Sequence, residues 1–157
     1  LVPSIAFLFG LVWLQQLVNN QAAFFNVVFT HLLFVLPYVF LSIASSYRRL
    51  DPRFAHVAAS LGATPCKVFL QVKLPQLFAP ILIAAALGLA ISFGQYLPTL
   101  LAGGGRIATI TTEAVTLANG ASRRTSAVYA IMQMALPLIG FILAWVLPKY
   151  FFKSAHR

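Results

Sequence analysis

Three long runs without a charged residue constrain this chain more than any other feature of its sequence. No Lys, Arg, Asp or Glu occurs from Leu1 to Tyr47, from Leu74 to Gly105, or from Thr125 to Pro148. A helix needs about 20 apolar residues to cross a bilayer, so the first run has room for two crossings and each of the others for one. We therefore predict an all-α, polytopic helical membrane protein. The four predicted transmembrane helices are about Leu1–Val18, Phe24–Ala44, Leu77–Leu97 and Ala127–Leu147.

The composition excludes the other common classes of protein. Hydrophobic residues make up 61% of the 157 residues and charged residues 8%, whereas a soluble domain has about 25% charged residues. A disordered chain is polar and poor in aromatic residues, and Cys66 is the only cysteine, which excludes a disulfide scaffold. Because the chain starts at Leu1 and shows no signal-peptide pattern, we expect it to be a piece of a longer chain.

The basic residues fall unequally on the two sides of the predicted membrane. One side holds those between the second and third spans and those at the C-terminal end: Arg48, Arg49, Arg53, Lys67, Lys73, Lys149, Lys153 and Arg157. The other side holds Arg106, Arg123 and Arg124. The positive-inside rule therefore places the middle segment and both ends in the cytoplasm. The net charge of +9 could also indicate nucleic-acid binding, but these residues flank spans, so we expect no nucleic-acid partner.

Capping signals divide the middle segment into two short helices. Asp51-Pro52 is typical of a helix start, and Gly62 can end that helix in the left-handed conformation that costs glycine little. Thr64-Pro65 repeats the start, and we predict that Pro75 stops this second short helix before the next span.

The first of these helices carries one apolar face at helical spacing, made of Phe54, Val57, Ala58 and Leu61. A helix this short is not stable alone, so the face needs something to bury against. The residues by themselves leave three partners open, namely the lipid headgroup region, the transmembrane bundle of the chain itself, and a cavity on a soluble protein.

The middle segment resembles the EAA loop of permease subunits of binding-protein-dependent ABC importers of the type I fold. In that loop Glu-Ala-Ala is followed by a glycine and by a hydrophobic-Pro pair, and these places are held by His56-Val57-Ala58, Gly62 and Leu74-Pro75. The fuller family string is also matched by Ser60, Leu61, Ala63, Pro65, Phe69 and Val72. His56 replaces the acid and Val57 the first alanine, as in one half of double-length permeases. The chain is most similar to the C-terminal half of a thiamine- or iron-type permease.

This resemblance implies a transporter subunit of the bacterial inner membrane with no enzymatic activity of its own. Residues 1–157 would be the C-terminal portion of a transmembrane domain, with the EAA-like loop at about 46–76. ATP and Mg would bind a cytoplasmic ATPase subunit, since this chain has no Gly-rich phosphate loop and no cofactor is expected on it. The other implied partners are a second permease domain or fused half, a periplasmic substrate-binding protein and membrane lipid. The implied ATPase-docking residues are Asp51, Phe54, His56, Val57, Ala58, Leu61, Gly62, Ala63 and Pro65.

Four residues of the spans are candidates for the translocation path: His31, Pro37, Gln95 and Tyr96. An ionisable residue inside a membrane is a functional candidate by default, which applies to His31. The alternative is a neutral histidine that only bonds a neighbouring helix.

A loop at about residues 99–125 is expected on the extracytoplasmic side, with a helix at about Thr111–Asn119. Its charged residues Arg106, Glu113 and Arg123 could contact the substrate-binding protein. They could equally form a solvated surface pair, which contributes little to stability.

Two other functions remain to be weighed against the importer. A secondary transporter driven by an ion gradient needs coupling acids in its spans, and neither Asp51 nor Glu113, the two acids of the chain, lies in a predicted span. A membrane assembly protein without transport needs no helix-glycine-helix segment. No catalytic set of residues occurs in the sequence, so an intramembrane enzyme is not expected.

Overall fold

The computed structural model describes residues 4–19, 22–120 and 123–152, and within these ranges the chain is helical without a strand. The helices are α1 (Ser4–Asn19), α2 (Ala23–Arg48), α3 (Pro52–Ser60), α4 (Pro65–Val68), α5 (Leu74–Phe93), α6 (Tyr96–Ala102), α7 (Ile110–Ala118) and α8 (Arg123–Phe152). A π-helical segment at Phe69–Lys73 connects α4 to α5. The predicted all-α class is confirmed.

Three helices are long and apolar enough to cross a membrane, and they span Ala23–Arg48, Pro65–Phe93 and Arg124–Tyr150. This confirms the polytopic helical membrane class. The first predicted span is α1, an apolar helix of 16 residues. Its length of about 24 Å is less than the hydrocarbon thickness of a bilayer, about 30 Å.

The prediction that Pro75 stops a short helix is wrong, because Pro65–Phe93 form one continuous helix. A proline in an α-helix lacks an N–H and crowds the carbonyl four residues earlier, here that of Gln71. The π-helical segment directly before Pro75 widens the turn, with the Leu74 N–H bonded to the Phe69 carbonyl. A local change of this kind lets the chain pass a proline without ending the helix.

The third span ends earlier than predicted. Its helix stops at Phe93, and Gly94 and Gln95 separate it from α6, so Leu97 belongs to the next helix. The Thr111 hydroxyl of α7 donates a hydrogen bond to the Phe93 carbonyl. Irregular backbone at membrane depth needs such internal partners, because lipid offers none.

α2 and α5 pack side by side and antiparallel. Three contacts at successive levels show this: Tyr47 with Lys73, Val39 with Gly88, and His31 with Ser92. A Cβ added at Gly88 would lie 3.0 Å from the Val39 Cγ2, so the glycine permits the close approach predicted for small residues in this span. α8 packs on α5 as well, with Gly140 facing Ala86. α5 is therefore the central helix of the described fold.

α1 lies antiparallel to the first half of α2. The rings of Phe7 and Phe34 meet edge to face with centroids 6.0 Å apart. Toward the other end of α1, the Gln15 amide donates to the Asn26 carbonyl at 3.2 Å and to the Thr30 hydroxyl at 3.0 Å. Gln15 and Thr30 are both buried, so this polar contact fixes how α1 sits on α2.

Candidate functional site

The start of α3 is fixed by the capping residues that the sequence predicts. Asp51 is extended, and its side-chain oxygen accepts the Arg53 N–H at 2.9 Å. Pro52 follows at the first helical position, where a missing N–H costs nothing. Cap and proline together hold this nine-residue helix in place.

The end of α3 is a left-handed glycine turn, as predicted. Gly62 has φ +81°, its N–H bonds the Ala59 carbonyl at 2.9 Å, and the Ala63 N–H bonds the Ala58 carbonyl at 3.1 Å. This pair of bonds is the Schellman motif, which satisfies carbonyls that the helix end would leave unpaired. The direction in which the chain leaves α3 toward α4 is therefore determined by Gly62.

The large apolar side chains of α3 are uncovered in the described part of the chain. Phe54 and Val57 are each 59% exposed and Leu61 is 83% exposed, while Ala58 is half-buried. The opposite side of the helix rests on α4 and the π-helical segment, where Ala55 borders a cavity of about 240 Å³. Among the described residues, the apolar face is thus not buried against the transmembrane helices, which argues against one of the three partners that the sequence leaves open.

The remaining docking candidates lie around this helix. His56 is exposed on α3 and borders a second cavity, between α3 and the ends of the two adjoining helices. Ala63 is half-buried in the turn, and Pro65 is exposed at the first position of α4. The structure therefore gathers the predicted docking residues on one short helix and the turn that follows it.

Two of the four path candidates meet in a polar cluster, here called the His31 cluster and made of His31, Ser92, Gln95 and Thr99. His31 Nδ1 lies 2.8 Å from the Ser92 hydroxyl and Nε2 lies 2.7 Å from the Thr99 hydroxyl. Thr99 and Gln95 are buried. The cluster joins α2 to the break between α5 and α6.

Hydrogen-bond polarity assigns the histidine tautomer in this cluster. The Thr99 hydroxyl donates to the Gln95 carbonyl, so it accepts from a proton on His31 Nε2. The Ser92 hydroxyl can then donate to Nδ1, and a neutral imidazole satisfies both contacts. The Gln95 amide nitrogen lies 3.5 Å from the His31 carbonyl, and its amide oxygen is buried without a partner among the described residues.

The other two path candidates lie apart from this cluster. Pro37 is exposed on the outside of α2, and Tyr96 is half-buried at the first position of α6. A groove of about 370 Å³ beside the helix break contains a residue that the sequence reasoning missed, Gln133 of α8. It faces the same groove as Gly94 and Pro137. Its only sequence signal is a single amide within an apolar span.

The loop that we predict on the extracytoplasmic side contains the expected helix as α7, capped by Thr109, whose side chain accepts the Thr112 N–H. Glu113 is half-buried in the first turn of α7, where a negative charge is favourable. Arg106 is exposed in the turn after α6. Arg123 begins α8, and its side chain lies outside the described residues.

The geometry so far defines a helical membrane protein with a short capped helix held outside the bundle. The chain belongs to the family of binding-protein-dependent transport system inner membrane components, which matches residues 1–151. This confirms the resemblance to the permease subunits.

Individual relatives agree with the family assignment. The chain is 37% identical over 150 residues to the inner membrane ABC transporter permease protein YnjC of Escherichia coli (strain K12), a match that covers 96% of this chain and 29% of that protein. It is 32% identical over 117 residues to the spermidine/putrescine transport system permease protein PotC homolog of Mycoplasma genitalium, covering 74% of this chain and 40% of that protein. The chain thus spans less than half the length of these relatives. No solved structure matches it at a significant level.

Proposed function

We propose that this chain is part of the permease of an ATP-driven importer in the bacterial inner membrane and that it couples ATP hydrolysis to alternating access. The observation that carries the proposal is the uncovered apolar face of α3, held outside the bundle by a cap at Asp51 and a glycine turn at Gly62. Membership of the family supports it. An apolar helix face of this kind suits a groove on a soluble protein.

In this proposal the soluble partner is the ATPase subunit, which holds ATP and Mg. ATP binds the closed ATPase dimer more tightly than the open one, and that difference drives the conformational change. α3 moves with the ATPase, and α4 passes the movement to α5 because both belong to one helix, Pro65–Phe93. A second permease domain and membrane lipid would cover the exposed apolar sides of the long helices.

The translocation path is proposed to run along the helix break. Discontinuous helices at membrane depth are tolerated where they line a cavity or are buried in protein. Gln95 and Tyr96 lie at the break, and His31 holds the break to α2 through hydroxyl contacts. The groove that contains Gln133 borders the same break. The loop with Arg106, Glu113 and Arg123 is proposed to face the substrate-binding protein.

The proposal is tested by placing a charge in the apolar face of α3. Leu61→Asp should weaken binding of the ATPase subunit at least tenfold, because burying a leucine side chain contributes about 1.5–3 kcal/mol. Leu61 is 83% exposed, so folding of the permease itself should change little.

Ser60→Asp is the matched control, since Ser60 is also exposed but lies outside the apolar face. Its binding should stay near that of the wild type in a pull-down of the ATPase from detergent. Equal recovery of the ATPase with Leu61→Asp and Ser60→Asp would show that α3 does not dock. Transport by the reconstituted complex without ATP would refute the importer function.

A further inference from the structure

A groove of about 380 Å³ lies along the last turns of α2, at the end predicted to be cytoplasmic. It is lined by Phe40, Ile43, Ala44, Tyr47 and Arg48. These residues share one face of the helix, because they follow one another at steps of three or four residues along it. All of them belong to α2, so no other described helix lines the groove. Phe40 and Tyr47 are exposed, and Ala44, the smallest of the five, stands in the middle of this face.

The groove changes from apolar to charged along its length. Phe40 and Arg48 are eight residues apart, about 12 Å along a helix, which is close to half the hydrocarbon thickness of a bilayer, about 15 Å. With Arg48 at the level of the lipid headgroups, Phe40 is therefore at the level of the acyl chains. Tyr47 directly precedes Arg48, and tyrosine is enriched at the interface between these two layers. The groove thus presents apolar, interfacial and basic groups in the order in which a phospholipid carries its chain and its phosphate.

The headgroup end of the groove is strongly basic. Within residues 47–76 five basic side chains stand against one acidic side chain, the basic ones being Arg48, Arg49, Arg53, Lys67 and Lys73. The one acid, Asp51, accepts the Arg53 N–H at the start of α3. A cluster of about four to eight basic residues directly after a spanning helix on the cytoplasmic side is typical of proteins that bind anionic lipids.

Lys73 brings further positive charge to this end of the groove from the π-helical segment. It does not line the groove, but its ammonium donates to the Tyr47 hydroxyl at 3.2 Å and lies 5.4 Å from the centre of the Tyr47 ring. The charge of Lys73 is thereby held at the residue that precedes Arg48. An anion beside Tyr47 and Arg48 is favoured by both charges.

We propose that this groove binds an anionic phospholipid, with an acyl chain over Ala44 between Phe40 and Tyr47 and with the phosphate paired to Arg48. Lys73 adds to the positive charge at the headgroup end. The inference goes beyond the proposed transport function, since it assigns a lipid site on α2 and does not depend on the docking of α3.

A helix of the second permease domain is the competing occupant of the groove. Such a helix would enclose Arg48 in a contact between two proteins, where a charge without an opposite charge beside it is unfavourable. The acid nearest to Arg48 in sequence, Asp51, already caps α3. An anionic phospholipid supplies the negative charge and the apolar chain in one molecule, so the basic end of the groove favours lipid.

Native mass spectrometry of the full permease complex tests the proposal. The complex is purified in detergent and titrated with dioleoyl phosphatidylglycerol or dioleoyl phosphatidylcholine, which have the same acyl chains and differ in net charge. The wild type should bind phosphatidylglycerol more tightly. Arg48→Gln should raise the Kd for phosphatidylglycerol about fivefold, the effect of one basic residue near an anionic membrane surface, and leave the Kd for phosphatidylcholine unchanged. The control Arg124→Gln, at an exposed position near the start of α8, should change neither Kd.

A second pair of variants tests the part of the groove that would hold the acyl chain. Ala44→Trp should fill the groove and raise the Kd for phosphatidylglycerol, whereas Ser45→Trp, at an exposed position of α2 outside the groove, should leave it unchanged. Equal Kd values of the wild type for the two lipids, or of the wild type and Arg48→Gln for phosphatidylglycerol, would overturn the proposal. An unchanged Kd in Ala44→Trp would also overturn it, because the headgroup alone would then be bound. Loss of the second permease domain in Ala44→Trp but not in Ser45→Trp would do the same, because it identifies a protein occupant.

Discussion

Replacing Gly62 tests whether the turn after α3 must keep its shape for coupling. An L-residue in the left-handed helical conformation costs about 1–2 kcal/mol more than glycine. At Gly62 the only cost expected is this backbone strain. The φ angle is +81°, and an added Cβ would meet no atom within 4 Å, so no steric clash adds to it. Gly62→Ala should therefore shift the equilibrium away from the native turn by a factor of about 5–30.

The fold offers a matched control on the other side of the predicted membrane. Gly105 has φ +70° and the same open space around an added Cβ, so Gly105→Ala carries a comparable backbone strain far from α3. Both variants should lose similar thermal stability. Only Gly62→Ala should transport less substrate per ATP hydrolysed in proteoliposomes, and Gly62→Asn should keep more of this ratio, because asparagine tolerates this conformation better.

The deciding measurement is the amount of substrate transported per ATP hydrolysed by the reconstituted complex. A ratio in Gly62→Ala equal to that of the wild type and of Gly105→Ala would refute the reasoning, because the strained turn would then have no effect on coupling. Equal losses of the ratio in both alanine variants would refute it as well, since they would indicate a general loss of stability.

Other predictions concern the packing of the spans and the loop. Thr99→Val leaves His31 Nε2 and the Gln95 carbonyl without their hydroxyl partner and should cost about 1 kcal/mol in the membrane, measured as a lower Tm than that of the exposed control Thr116→Val. Gly103→Ala should destabilise more than Gly10→Ala, because its Cβ would lie 2.7 Å from the Thr99 carbonyl oxygen, whereas the Cβ at Gly10 meets nothing within 4 Å. Thermal unfolding in detergent checks both predictions. Equal Tm values within a pair would contradict the contacts described for Thr99 or for Gly103.

Local chemistry made the short helix α3 predictable from sequence. The helix start depends only on Asp51 and Pro52, and the left-handed helix end depends only on Gly62 and its neighbours. The structure shows both features where the sequence predicts them. The long uncharged runs likewise predicted the spanning helices, because a bilayer selects for length and apolar character. The uncovered side of α3 required the fold, since the sequence shows an apolar face but not what lies against it.

The features that sequence reasoning missed depend on distant contacts or on backbone register. Pro75 predicts a helix end by local rules, yet the π-helical segment before it keeps the helix continuous. The break at Gly94 lies in an uncharged run and is supported by Thr111, 18 residues away from Phe93. His31 meets Ser92 and Thr99 across separations of 61 and 68 residues. The spacing of apolar residues within one segment does not show which distant residues it will contact.

The continuous helix from Pro65 to Phe93 connects the turn after α3 to the break before α6, so a movement at one end displaces the other end. It has 29 residues, so it is about 44 Å long, and a tilt of about 10° about one end would displace the other end by about 8 Å. A small angular change at the end of this helix nearest α3 therefore becomes a displacement of several ångströms at the break between α5 and α6.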